Sequence, residues 1–245
     1  MSDILIGTSG WSYDSWRGRF YPKSLPTDEW LSFYASHFPT VEVNNSFYRL
    51  PTPKTYRTWA KRVPNSFKFA VKASKFLTHN KKLATPQDPW KRMMTTTKNL
   101  VNHLGPLLLQ FPPIWQKNVE RLREFLEFKE NQRLFPKIPL VFEFRNKSWL
   151  CEEVYELLRE HNAALCIADS PALPRSDVIT TSFTYFRFHG RDGADAPNYS
   201  RARLKAEANK IKGLQSDGII VYVYFNNDTN ACAVRNAATL ADLLA

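Results

Sequence analysis

Runs of six to nine residues rich in β-branched and aromatic side chains alternate along the chain with stretches whose apolar positions recur every three or four residues. The first pattern is that of strands and the second that of amphipathic helices. Strands are predicted over 4–9, 40–45, 67–74, 106–111, 140–146, 164–169, 184–190 and 219–227. Helical periodicity lies between them in 28–38, 55–63, 119–128, 152–161 and 203–214, and again after the last strand in 233–244. The sixth helix is poorly signalled in 171–182. In 55–63, Tyr56, Trp59, Ala60 and Val63 share one face while Arg57, Lys61 and Arg62 fall elsewhere. Eight units of about thirty residues, with no Gly/Ser-rich linker or composition break, predict one α/β domain over 1–245. Its expected architecture is a parallel eight-stranded (β/α)8 barrel of the TIM type, not an open doubly wound sheet.

Side chains alternate faces along a strand, so parity sorts each run into two sets. In 140–146, Val141, Glu143 and Arg145 oppose Phe142 and Phe144. In 184–190, Tyr185, Arg187 and His189 oppose Phe186 and Phe188. The split recurs with Lys68, Lys72 and Ser74 against Phe67, Phe69 and Val71, and with Gln110 against Leu107, Leu109 and Phe111. Glu42 and Asn44 oppose Val41 and Val43, and Tyr222, Tyr224 and Asn226 oppose Val221, Val223 and Phe225. One face of a barrel strand meets helices and must be apolar, which turns the polar set inward, towards the C-terminal strand ends where enzymes of this fold keep their active sites. Asp169, closing the 164–169 run, is expected to join it. Charges in a closed interior must pair with one another, hold a ligand, or both.

Composition adds little until the charge is located. The 245 residues are 43% hydrophobic and 14% aromatic, as in ordinary globular proteins. Of the net charge of +11, all is carried by 54–98, where twelve Lys/Arg face the single acid Asp88; the rest of the chain has twenty-two charges of each sign. A segregated excess of this kind attracts phosphate or a polyanion. The opening MSDILIGTSGW enters a strand-like run without a basic n-region or a small-residue cleavage site, and no eighteen apolar residues occur together, so an unexported protein with no membrane partner is expected. Cys151, Cys166 and Cys232 form neither a disulfide framework nor a CxxC site, which points to a reducing cytoplasm. There is no GxGxxG after the first strand and no GxxxxGK[ST], which removes the main support for dinucleotide and P-loop folds.

Several stretches together identify a resemblance: GTSGWSYDSWRGRFYP (7–22), EVNNSFYRLP (42–51), FKFAVKASKFLTH (67–79), LLLQFPP (107–113), FEFRNKSW (142–149), CIADSP (166–171), YFRFHG (185–190), YVYFNND (222–228) and NAATL (236–240). Across nearly the whole chain the sequence resembles the YecE-like family (domain of unknown function seventy-two). The resemblance implies a TIM-barrel-like fold and carries no activity with it.

The inward set suits an enzyme using acid/base chemistry, of hydrolase or lyase class, on an anionic substrate that is phosphorylated or nucleotide/nucleic-acid-like. His189 is the expected proton-transfer group because an unperturbed imidazole titrates near neutrality. Glu143 and Asp169 would orient it or the neighbouring cations, with Glu42 as a further candidate acid. Lys72, Arg145 and Arg187 would hold the anion, and Gln110, Asn226 and Asn227 would supply neutral hydrogen bonds. Trp11, Tyr13, Trp16 and Trp149, with His79 and the lysines after the third strand, would line the mouth, where aromatic faces beside cations suit bases and phosphates. Two alternatives stand beside this reading. One is a nucleic-acid-binding barrel without catalysis. The other is a metal-dependent hydrolase holding Mg or Mn on Glu42, Glu143, Asp169 and His189, although Lys72, Arg145 and Arg187 would crowd a cation. No other cofactor is expected. An inward Lys72 with a lowered pKa could also form a Schiff base. Gln110 and His189 occupy strand ends where a retaining glycosidase would be expected to hold glutamates.

Overall fold

In the computed structural model, which describes residues 3–132, 137–190 and 198–245, eight parallel strands close a barrel in chain order. They are β1 (Ile4–Ser9), β2 (Thr40–Val43), β3 (Lys68–Lys72), β4 (Leu104–Gln110), β5 (Leu140–Glu143), β6 (Ala164–Asp169), β7 (Phe183–Phe188) and β8 (Ile220–Phe225). β8 pairs back onto β1 through Ile4↔Val221 to Thr8↔Phe225. The bounds of β1 and β6 coincide with those predicted, and the others differ by one to three residues at an end.

Helices fill most connections. α1 (Trp30–Ala35) follows β1, α2 (Asn45–Tyr48) and α3 (Pro53–Ala60) follow β2, and α4 (Gln87–Thr97) follows β3. α5 (Val119–Glu130) and α6 (Glu152–Glu160) follow β4 and β5, and α7 (Arg201–Ser216) and α8 (Cys232–Leu244) follow β7 and β8. Their starts are built locally: Thr52 accepts from the Thr55 N–H with Pro53 in the first turn, and Asn118 and Ser200 accept from the N–H groups of Arg121 and Arg203. No helix joins β6 to β7, which corrects the expected sixth helix. Pro171 and Pro174 remove two donors there and oppose a helix. The segment is tied to the barrel instead by Thr180, whose hydroxyl accepts from the Leu165 N–H at 3.1 Å and donates to the Ala163 carbonyl at 2.6 Å.

Two apolar clusters occupy the two strand faces. Ala70, Leu108, Val141, Cys166, Tyr185 and Tyr224 belong to the one inside the barrel. Phe69, Val71, Leu107, Leu109, Phe142, Phe144, Phe186 and Phe188 belong to the larger one under the helices. The parity split therefore separates interior from exterior. β1 and β2 approach so closely that a Cβ on Gly7 would lie 2.0 Å from the Thr40 carbonyl oxygen. Beyond β1, Gly10 turns the chain with φ +92°, and a Cβ there would meet the Tyr13 hydroxyl at 2.7 Å. Apolar layers fill the lower interior and leave the polar residues to its C-terminal end. Among the described residues no helix is long and apolar enough to cross a membrane.

Candidate active site

The upper interior is organised around Arg187, whose inward position on β7 puts its guanidinium between acids from β2 and β5. Nε and Nη2 donate to Glu42 Oε2 and Oε1, both at 2.9 Å, a bidentate pair, while Nη1 donates to Glu143 Oε2. Glu42 also accepts from Tyr185 Oη and Ser9 Oγ, each at 2.7 Å. Glu143 accepts from Arg145 Nε at 2.7 Å. The side chains of Glu42, Glu143 and Arg187 are 0%, 1% and 1% exposed. Burial, the largest single influence, would raise both acids, but it is outweighed by the Arg187 charge together with hydrogen bonds from Arg187, Tyr185 and Ser9 at Glu42, and by the charges of Arg187 and Arg145 with the Arg145 hydrogen bond at Glu143, so both lie below the ordinary carboxylate range. Burial opposes the charge of Arg187 as well, and Glu143 and Glu42 overcome it and push its pKa up.

This geometry changes the expected roles of three residues. Arg187 spends three of its five N–H donors on the two acids and is buried beneath the mouth, so it is not placed to meet an anion from solvent. Glu42 and Glu143 each have both oxygens engaged, so they fix Arg187 and Arg145 in place instead of reaching a substrate. Sequence reasoning left Ser9 and Tyr185 out of the site, although Ser9 ends β1 and Tyr185 stands at an inward position two residues before Arg187. Cys166, inward on β6, lies 4.0 Å from Glu143 Oε2, and burial followed by the Glu143 charge raises its thiol pKa.

Around the scaffold stand the groups that remain available. Lys72 Nζ sits 4.4 Å above the Phe47 ring and makes no ion pair among the described residues. Burial, then repulsion from Arg187, lowers its pKa to about 8, against the opposing pull of Glu42 and Glu143. Arg145 spends Nε on Glu143 and is partly exposed. His189 Nδ1 lies 3.1 Å from Asn226 Nδ2. With that amide donating, the imidazole proton resides on Nε2, a buried nitrogen that has no hydrogen-bond partner among the described residues. Burial and the Arg187 charge lower His189 to about 4, so it is neutral at pH 7. That removes the near-neutral titration expected of it and leaves a hydrogen-bond donor. His79 is lowered to about 4 as well, by burial and by Lys72; its Nε2 lies 3.5 Å from Gln110 Nε2. Gln110 also donates to the Phe111 carbonyl at 3.0 Å.

Four expected site residues stand elsewhere. Asp169 shares its face of β6 with Leu165 and Ile167, outside the barrel, and pairs with Arg203 at 2.9 Å and Arg175 at 3.2 Å. Asn227 donates to Asn236 Oδ1 at 2.9 Å and so ties β8 to α8. Trp16 is fully buried and donates to the Asp228 carbonyl at 2.9 Å. Trp149 is fully buried too, donating to the Trp115 carbonyl at 2.8 Å and stacking on Phe144 with centroids 4.3 Å apart. These indoles cap the packing and cannot meet a base. Trp11 and Tyr13 are half-buried and line a small pocket with Asn44. Trp11 packs edge-on against Trp59 at 4.9 Å, and Tyr13 Oη donates to the Ser9 carbonyl.

The molecule is thus a closed parallel (β/α)-type barrel with a charged, ordered chamber at its C-terminal end. The chain belongs to the family described as "Protein of unknown function DUF72", which matches residues 5–245. It is similar to the UPF0759 protein YunF of Bacillus subtilis (strain 168), 29% identical over 273 residues, which cover 98% of this chain and 94% of that protein. It is also similar to the UPF0759 protein YecE of Escherichia coli (strain K12), 30% identical over 109 residues, 44% of this chain and 38% of that protein. Among solved structures, a DUF72 family protein of Thermotoga maritima MSB8 superposes with a TM-score of 0.87 at 30% identity, covering 99% of each chain.

Proposed function

We propose that the protein is an enzyme that binds the anionic group of a phosphorylated or nucleotide-like substrate at the C-terminal mouth of the barrel and moves a proton through Lys72. The supporting observation is the charge balance of the chamber. Among the described residues Arg187, Arg145 and Lys72 supply three positive charges, Glu42 and Glu143 two negative ones, and the neutral His189 none, which leaves one positive charge in excess. A buried excess cation is costly alone and is relieved by an anion. Arg145 and Lys72 would hold that anion, and the His189 Nε2–H would donate to it.

Lys72 then carries the chemistry first expected of His189. A lysine near pKa 8 is still charged at neutrality yet gives up its proton more readily than an ordinary ammonium, so it can hold the anion and act on it as a general acid, whereas an imidazole near 4 is neutral there and brings no charge. The acids beneath act as positioning residues. Because every oxygen of Glu42 and Glu143 is already engaged, a divalent metal would have to displace Arg187 or Arg145, which favours acid/base chemistry over the metal-dependent alternative.

The test is a calorimetric titration with inorganic phosphate and then with nucleoside monophosphates, followed by ³¹P NMR of the same mixtures for turnover. Binding is expected to weaken at least tenfold in Lys72→Met and Arg145→Met. Turnover of a bound ester is expected to vanish in Lys72→Met even at saturating ligand. Wild-type affinity in both variants would refute the reading.

A further inference from the structure

A groove of about 540 Å³ opens beside the mouth, between α2, the segment after β3, and α4. Its lining combines two features that seldom coincide on a solvated surface. Tyr48 and Phe76 are large aromatics exposed to 82% and 47%. Arg49, Lys75 and Arg92 also line it, and none of the three makes a side-chain hydrogen bond or an ion pair among the described residues. Asp88 is the sole acid in 54–98, so local carboxylates do little to neutralise them.

The groove is continuous with the chamber through one side chain. Phe47 lines the groove, supports Lys72 Nζ at 4.4 Å and meets the His79 ring edge at 4.9 Å. Tyr48 stands edge-on to the same Phe47 with centroids 5.0 Å apart. We infer that the groove binds a single-stranded nucleic acid, with bases stacked on Tyr48 and Phe76 and backbone phosphates on Arg49, Lys75 and Arg92. This occupant follows from complementarity. Unpaired cations need a polyanion, and exposed aromatic faces need π-surfaces that a duplex keeps stacked inside itself. Lys81 Nζ, 5.6 Å from the Phe76 ring, adds a further cation at the same rim. The inference rests on the reading of the mouth as an anion site, since the strand would present one of its phosphates to Lys72.

The experiment is fluorescence anisotropy of the full chain with labelled oligothymidine and oligouridine of twelve nucleotides and with a twelve-base-pair duplex, at 50 and 200 mM salt. A single strand is expected to bind more tightly than the duplex and to weaken as salt rises. The oligothymidine and oligouridine arms show whether the sugar matters. Tyr48→Ala and Phe76→Ala are each expected to weaken binding about tenfold, the loss of one stacked base. Lys75→Gln with Arg92→Gln should reduce the slope of log affinity on log salt by about 1.4, two single-strand phosphate contacts. No binding at 50 mM salt, duplex binding as tight as single-strand binding, or wild-type affinity in the aromatic variants would overturn the inference. Inorganic phosphate titrated separately reads the mouth alone. Phosphate binding that depends on Lys72, without strand binding, would therefore sink the groove and leave the proposed chamber standing; strand binding that depends on Tyr48, without phosphate binding, would do the reverse.

Discussion

Two charged clusters, one on each side of the barrel wall, make an instructive pair. The outer one joins Arg175, Arg203 and Lys210 to Asp169, Asp177 and Glu207, three charges of each sign. It is redundant as well as neutral, because Arg175 and Arg203 both reach Asp169 and Glu207. Such a cluster can stitch β6, its following loop and α7 together without any further partner. The inner one joins Glu42 to Glu143 through Arg187 alone, and among the described residues it leaves Lys72 without a carboxylate partner. Closure distinguishes a structural ion network from one that has a use for a ligand.

The largest difference should appear on removing the central cation of each. Arg187→Met leaves two buried carboxylates facing each other and should lower stability by about 3–5 kcal/mol in denaturant unfolding. Adding Glu42→Gln and Glu143→Gln should restore part of that loss. Wild-type stability in Arg187→Met would show that the inner network is not the keystone described here.

Acid should then separate the clusters further. His189 and His79 have folded pKa values of about 4 against an ordinary 6.5, so between those limits the unfolded chain binds more protons. Stability therefore falls as pH drops from 6.5 towards 4. The depressed Glu42 and Glu143 contribute stability that is present above the unfolded carboxylate range and is lost as pH falls through their folded values. Thermal melts should show a continuous loss below pH 6.5, with its upper part flattened in His189→Gln. An unchanged profile in that variant would remove the buried neutral imidazole from the account.

Lys72 has the same sense at higher pH. Its folded pKa of about 8 lies below the ordinary 10.5, so its contribution makes stability rise between those values. Lys72→Met should be more stable than the wild type at pH 7, by about 1–2 kcal/mol, and should lose this rise. A destabilised Lys72→Met would mean that the ammonium is paired after all. The smallest effect belongs to the outer cluster: Arg203→Ala should change stability by no more than about 1 kcal/mol, because Arg175 still holds both acids, and phosphate affinity should not move.

How far the sequence is legible follows from how local each signal is. Strand parity depends only on neighbouring residues, and it placed Glu42, Glu143, Arg187 and Lys72 inside. Asp169 was expected there from its position at a strand end, yet the alternation of Ala164, Cys166 and Ala168 against Leu165 and Ile167 already puts it outside. Asn227 likewise follows Val223 and Phe225. The burial of Trp16 and Trp149 depends on partners 212 and 34 residues away and leaves no local trace. The lowered His189 and Lys72 depend on Arg187, which parity puts in their company but cannot set at a distance. The absent helix after β6 was announced by its two prolines.

The central claim is that Lys72 is a partly buried ammonium with no ion-pair partner among the described residues, in a chamber proposed to accept an anion. Heteronuclear NMR of the Lys72 side chain through a pH titration, with and without inorganic phosphate, reads this directly. A midpoint near pH 8 that moves upward when phosphate is added is the expected result. A midpoint at the ordinary lysine value, unmoved by phosphate, would contradict the account.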